Sequence, residues 1–237
     1  MPLSAICLAC ILWGAQQREQ PPPRPSDNKA IRIAMAGDST MAQYKSPPAA
    51  KGLAGWGMAF GEYFNNLVEI INLAASGRST LSFRQQGFWK KALDAKPNYV
   101  FIQFGHNDQK NPALDAEGGF RTQLLQYIAE ARETGAMPVL VTPVARRTFN
   151  AEGKLETRLG PWAESMRKIA GEQKVPLIDL HAKSMALYSK LGPKESSFIT
   201  ISPSDFTHFS ERGAREIARL VAAEIPTAVP GLKPWLK

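Results

Sequence analysis

A serine, an acid and a histidine stand in this chain where they could form one reactive unit. Ser39 closes the run Ile31 to Ala36 in Gly37-Asp38-Ser39-Thr40, and Asp205 and His208 stand far downstream in Ser-Asp-Phe-Thr-His-Phe. A serine hydroxyl is a weak nucleophile at neutral pH. It needs a base within hydrogen-bond reach, and that base needs its second ring nitrogen held. His208 can be the base and Asp205 the group that fixes its tautomer. Their spacing of three is read as a single turn that puts both side chains on one side. The chain order serine, acid, histidine is one of several on which this constellation occurs.

Attack on a carbonyl also requires donors for the oxyanion. The backbone N–H of Ser39, the backbone N–H of Gly77 and the side-chain amide of Asn107 are the candidates, in Gly-Asp-Ser, Ser-Gly-Arg and Gly-His-Asn-Asp.

Other residues compete for these roles. His181, two residues after Asp179, could reach the same edge as base, although this pair also suits the start of a helix. His106, beside Asn107, suits loop support or substrate contact. Gly37 to Thr40 could simply cap a helix, as could the serines before Asp205. The three histidines show no metal-ligand spacing, so no metal or other cofactor is expected. Trp56, Trp89, Trp162 and Tyr188 are either sugar-stacking platforms or core. Gly55 and Gly57 around Trp56 suggest a tight backbone approach near the site.

Short β-rich runs position these groups: Ile31 to Ala36, Val68 to Leu73, Tyr99 to Phe104, Val139 to Thr142 and Leu177 to Leu180. Segments with helical spacing lie between or after them, including 120–134, 161–173 and a closing helix over 211–224. This alternation predicts an α/β fold, a three-layer α/β/α sandwich on a five-stranded parallel sheet. Ligand sites of such sheets lie beyond the carboxyl ends of the strands, where Ser39, Gly77 and Asn107 all fall.

Residues 1–15 read as a signal peptide, because the apolar stretch Leu3 to Ala15 is too short to span a bilayer. Lipid attachment at Cys10 is a second reading. Residues 16–29 form a Pro-rich linker, and 30–237 a single domain. The expected location is secreted or periplasmic. Cys7 and Cys10 are the two cysteines of the chain, so the folded body needs no disulfide. The tail from Pro226 to Lys237 is either docked or frayed.

The formal net charge of +8 favours a polyanionic partner, which could be nucleic acid, an anionic membrane or an acidic polysaccharide; charge alone does not choose among them. Lys and Arg are scattered, with Lys90-Lys91 and Arg146-Arg147 the densest groupings, and no basic stripe interleaved with aromatics supports nucleic-acid binding.

Gly-Asp-Ser, the isolated Gly77, Gly-x-Asn-Asp and Asp-x-x-His together resemble the four blocks of the SGNH (GDSL-type) hydrolases, over residues 31 to about 224. Gly-Asp-Ser-Thr, Gly55-Trp56-Gly57, Asn72 through Ser79, Phe-Gly-His-Asn-Asp and Asp-x-Thr-His-Phe are similar to the rhamnogalacturonan acetylesterase branch. That resemblance implies a flavodoxin-like fold and an esterase that needs no cofactor and removes acetyl groups from a pectic, acidic polysaccharide. It makes Ser39, Asp205 and His208 catalytic, places Ser39, Gly77 and Asn107 at the oxyanion, and gives Asp38 the task of positioning the turn. Arg78, directly after Gly77, is the first candidate for a substrate carboxylate, followed by Arg146 and Arg147; Trp56 and His106 are further candidate contacts. Acetylated xylan or another short-chain acyl ester is the alternative substrate, and a noncatalytic carbohydrate-binding protein is the alternative of another class. The loops Tyr44 to Leu53 and Thr148 to Arg158 are expected to shape the acyl pocket.

Overall fold

The computed structural model describes residues 30–44 and 52–237. The expected leader, the Pro-rich linker and most of the loop after Tyr44 lie outside these residues.

Strands β1 (Ile31–Gly37), β3 (Val68–Asn72), β4 (Tyr99–Gln103), β5 (Met137–Val141) and β6 (Leu177–Ile178) form one sheet in the order β3-β1-β4-β5-β6. Every pairing in it is parallel. Parallel strands covered on both sides need apolar residues at successive positions, because alternate side chains enter opposite layers. β1 and β4 meet that demand. Ile31, Ile33, Met35, Tyr99 and Phe101 enter one core, while Ala34, Ala36, Val100 and Ile102 enter the other.

The first core is closed by the short helix α1 (Gly57–Phe60), α6 (Leu180–Glu195) and α7 (Glu211–Ala228). The second is closed by α2 (Thr80–Gln85), α3 (Phe88–Asp94), α4 (Gly119–Glu133) and α5 (Gly160–Gln173). The result is the expected α/β/α sandwich. α7 runs past the predicted end and carries Pro226 in its last turn. The tail is docked, with Trp235 fully buried and Leu236 bridged to Phe64.

In this strand order the chain crosses from β3 to β4 on the opposite side of β1, so the crevice between β1 and β4 is the topological switch point. Ser39 follows one of those strands and Asn107 the other. A second, two-stranded sheet carries the remaining component. β2 (Leu53–Ala54) pairs antiparallel with β7 (Phe209–Ser210), which begins one residue after His208.

Gly55 follows β2 where the chain passes hard against the turn after β1. A Cβ there would lie 2.3 Å from the carbonyl oxygen of Ala42 and 2.5 Å from its nitrogen. Gly55→Ala should therefore cost about 1–3 kcal/mol of stability, as overpacking does. Calorimetry should show a melt several degrees lower; an unchanged melt would mean that the Ala42 backbone moves aside freely.

Candidate active site

The turn after β1 is built by a buried carboxylate. Asp38 Oδ1 accepts hydrogen bonds from Thr40 N–H at 2.9 Å and Thr40 Oγ1–H at 2.8 Å. Its carbonyl accepts from Met41 and Ala42, which closes one turn without starting a helix and so removes the capping reading. Neighbouring strand ends hold that turn. Asn72, ending β3, donates to Met41 O at 2.9 Å, and Gln103, ending β4, donates to Thr40 Oγ1 at 2.6 Å while accepting from Trp56 Nε1 at 2.7 Å.

Burial alone would raise the Asp38 pKa. The adjoining His106 and the Thr40 hydrogen bonds outweigh it and hold the carboxyl below its usual value. Ser39, on the outside of this turn, is 6% exposed.

Asp205 and His208 reach Ser39 from the other end of the chain. His208 Nε2 stands 3.0 Å from Ser39 Oγ, and His208 Nδ1 stands 2.9 Å from Asp205 Oδ2. A carboxylate accepts, so Nδ1 carries the proton and Nε2 faces the serine as the acceptor. The expected helical turn is absent: residues 202–208 form bends. Asp205 Oδ1 instead accepts from the backbone N–H groups of Thr207 and His208, both at 2.8 Å. One carboxylate thus folds the loop and fixes the imidazole. Burial pushes its pKa up, and these hydrogen bonds more than reverse the shift. Just beyond, Phe209 pairs with Ala54 and Thr200, and Ile201 N–H donates to His208 O at 2.9 Å.

Gly77 adopts φ +77°, a conformation that favours glycine, on an exposed turn where an added Cβ would meet nothing. Among the described residues, the backbone N–H groups of Ser39 and Gly77 have no acceptor. The Asn107 amide gives one hydrogen to Arg78 O at 3.0 Å, which ties the Asn107 segment to the Gly77 turn and leaves a second hydrogen. Buried Asp108 makes the same tie from beneath, accepting from Thr80 N–H, Thr80 Oγ1–H and Gly105 N–H.

Two expected substrate contacts are corrected. Trp56 is fully buried and His106 only 2% exposed, so neither touches a substrate. Trp56 supports the nucleophile turn through Gln103, and His106 Nδ1 lies 3.4 Å from Asp38 Oδ2, beneath Ser39. Arg78 is part-buried, with Nη1 donating to Ser76 O and its guanidinium over Phe88. Arg147 is buried on Thr200 Oγ1 and Pro193 O, whereas Arg146 lines an open cleft beside His208.

His181 makes no hydrogen bond to Ser39, and its Nε2 has no partner among the described residues. It is buried at the start of α6, where Asp179 caps the helix by accepting from Ala182 N–H and pairs with Arg167. Trp89 and Tyr188 are core residues, and Trp162 donates to Leu114 O. Among the described residues, no three metal-ligating side chains cluster.

Sequence reasoning missed Tyr44, whose hydroxyl donates to Ser39 O at 3.0 Å, and Phe206, an exposed ring inside the acid–histidine loop. Nothing local marks Tyr44. Phe206 could have been noticed as an aromatic residue between two chemically committed positions.

The profile of the GDSL-like lipase/acylhydrolase family matches residues 35–216. The chain belongs to the GDSL-like lipase/acylhydrolase family. Its match covers Ser39, Gly77, Asn107, Asp205 and His208. Among relatives of this GDSL-family chain, the rhamnogalacturonan acetylesterase RhgT of Bacillus subtilis (strain 168) is 41% identical over 211 residues, covering 83% of this chain and 90% of RhgT. The probable rhamnogalacturonan acetylesterase YesY of the same organism is 37% identical over 205 residues, covering 83% and 93%. The crystal structure of Bacillus subtilis YxiM superposes with a TM-score of 0.73 at 29% identity, covering 83% of this chain and 56% of that one.

The Asp108 stitch has a pH signature. Burial pushes its carboxyl from 3.8 up to about 6, against the opposing hydrogen bonds. The folded state then holds a proton that the unfolded chain has released, so this group's contribution to stability falls as pH rises from about 4 to about 6. The advantage in stability of wild type over Asp108→Asn should shrink across that window by on the order of 3 kcal/mol. Melts of both proteins at a series of pH values test this; a constant difference would put the carboxyl at its ordinary value.

Proposed function

We propose that this protein is a serine carboxylesterase that removes acetyl groups from pectic rhamnogalacturonan through an acyl-enzyme intermediate. The observation that carries the chemistry is the continuous path from Ser39 Oγ to His208 Nε2 at 3.0 Å and from His208 Nδ1 to Asp205 at 2.9 Å. The substrate reading is supported by the likeness to RhgT and YesY and by the chain's positive charge, which suits a polymer bearing carboxylates.

His208 takes the Ser39 proton as the oxygen attacks the acetyl carbonyl carbon. The imidazolium that forms is stabilised by Asp205, held ionised by its backbone donors. The developing oxyanion meets the N–H groups of Ser39 and Gly77 and the remaining amide hydrogen of Asn107. Each such donor is worth about 10²–10³-fold in turnover. His208 then passes the proton to the departing sugar oxygen, and water repeats the cycle on the acyl-serine to release acetate.

We also propose export of the protein. That reading rests on the apolar stretch from Leu3 to Ala15 and the Pro-rich segment after it.

Ser39→Ala and His208→Ala should each lower hydrolysis of a short aryl acetate by at least about 10³-fold, as loss of a triad member does. Neither is a core packing residue, so calorimetric melts should stay within about 2 °C of wild type. Normal turnover in either variant would remove that residue from the mechanism. The substrate is tested by acetate release from acetylated rhamnogalacturonan, acetylated xylan and tributyrin under the same conditions. The expected preference is for the pectic polymer. Faster release from xylan or lipid would defeat the substrate assignment and leave the esterase standing.

A further inference from the structure

A cleft of about 580 Å³ opens beside the acid–histidine end of the reactive centre. Gln109 lines it from the turn after β4, Arg146 and Arg158 from the β5–α5 connection, and Phe206 from the loop that carries His208. Two of these side chains present groups to the cleft that their own contacts leave unused.

The first is Arg146. Its guanidinium is part-buried, yet its hydrogen bonds go to neutral oxygens, Thr207 Oγ1 and, at 3.5 Å, the His106 carbonyl. Among the described residues no carboxylate pairs with it. Arg158, by contrast, is paired with Glu156. Burial pulls the Arg146 pKa down, and Asp38 and Asp205 oppose that only through their field; a guanidinium carries five donors in a planar fork that fits a carboxylate.

The second is Phe206. Among the described residues large apolar side chains are otherwise mostly covered, but this ring is 44% exposed. The guanidinium of buried Arg147 braces it at 5.8 Å from the ring centroid, and Arg147 N–H donates to Phe206 O at 2.8 Å. A fixed, exposed ring offers a platform for the C–H face of a sugar.

We propose that this cleft is the binding subsite for a uronic acid residue of the substrate, with Arg146 receiving its carboxylate and Phe206 packing against its ring. The cleft shares Asp205 and His208 with the reactive centre, which sets its occupant beside the ester that is cleaved. This assignment rests on the acetyl-polysaccharide reading above and adds the specificity element: negative charge close to the ester. It moves that role from Arg78, folded back on its own turn, to Arg146.

The test uses a deacetylated rhamnose–galacturonate oligosaccharide and the same oligosaccharide with its carboxyl groups reduced to alcohols, each as an inhibitor of aryl acetate hydrolysis by the wild-type protein. The acidic form should inhibit competitively at least about ten-fold more tightly, as expected for a charge-assisted bidentate contact. Added salt should narrow that gap. Arg146→Gln should bring the ratio of the two inhibition constants close to one, and Phe206→Ala should weaken both ligands by a similar factor. Equal inhibition of wild type by the two forms, no inhibition by either, or an unchanged ratio in Arg146→Gln would overturn the subsite. Acetate release from the acetylated polymer, measured on the same protein, separates that outcome from failure of the esterase reading: if release persists, the subsite alone falls.

Discussion

The contact between His208 and Ser39 joins positions 169 residues apart, and most of the structure around the site serves to keep those two groups within 3.0 Å. Neither end could hold the contact alone. The serine is fixed by the turn after β1, and the histidine hangs on a loop without regular structure. What makes the loop dependable is its double attachment: Asp205 folds it from inside, and pairing of Phe209 with Ala54 and Thr200 clamps it from outside.

Beneath the nucleophile the protein has spent buried polar groups freely. Trp56, Gln103, Thr40 and Asp38 form a chain of hydrogen bonds that links α1, β4 and the turn after β1. Asp108 links the Gly77 and Asn107 segments in the same manner. Buried polar groups stabilise only when satisfied, and a satisfied network specifies a single arrangement. These networks account for the position of the serine N–H and the neighbouring donors better than apolar packing could, because packing is not directional. The meeting of Asp38 and His106 departs from this pattern: Asp38 Oδ2 and both His106 ring nitrogens lack a hydrogen-bond partner among the described residues, with Oδ2 3.4 Å from Nδ1.

Much of this was legible in the chain. Two-sided apolar strands such as Tyr99 to Phe104 announce a parallel sheet, and that sheet class forces chemistry to its carboxyl edge, where Ser39, Gly77 and Asn107 stand. Direction was not legible. Trp56 and His106 adjoin the motifs, and adjacency suggested contact with substrate, but a neighbouring residue can equally point under the site as over it. The spacing of Asp205 and His208 fits a helical turn and also a turn closed by a carboxylate on the backbone; which one forms depends on the flanking pairing with β2, far away in the chain. Arg146 and Phe206 meet only because the β5–α5 connection and the C-terminal loop pack together, a long-range fact that no local pattern encodes.

The central claim is that Ser39 is the atom donor to the acyl group and that His208 activates it. Reaction with an aryl fluorophosphonate, followed by peptide mass spectrometry, tests it most directly. One adduct per chain is expected on Ser39, forming in step with the loss of esterase activity and greatly slowed in His208→Ala. Complete inactivation with Ser39 unmodified, or labelling that proceeds at an unchanged rate without His208, would contradict the account.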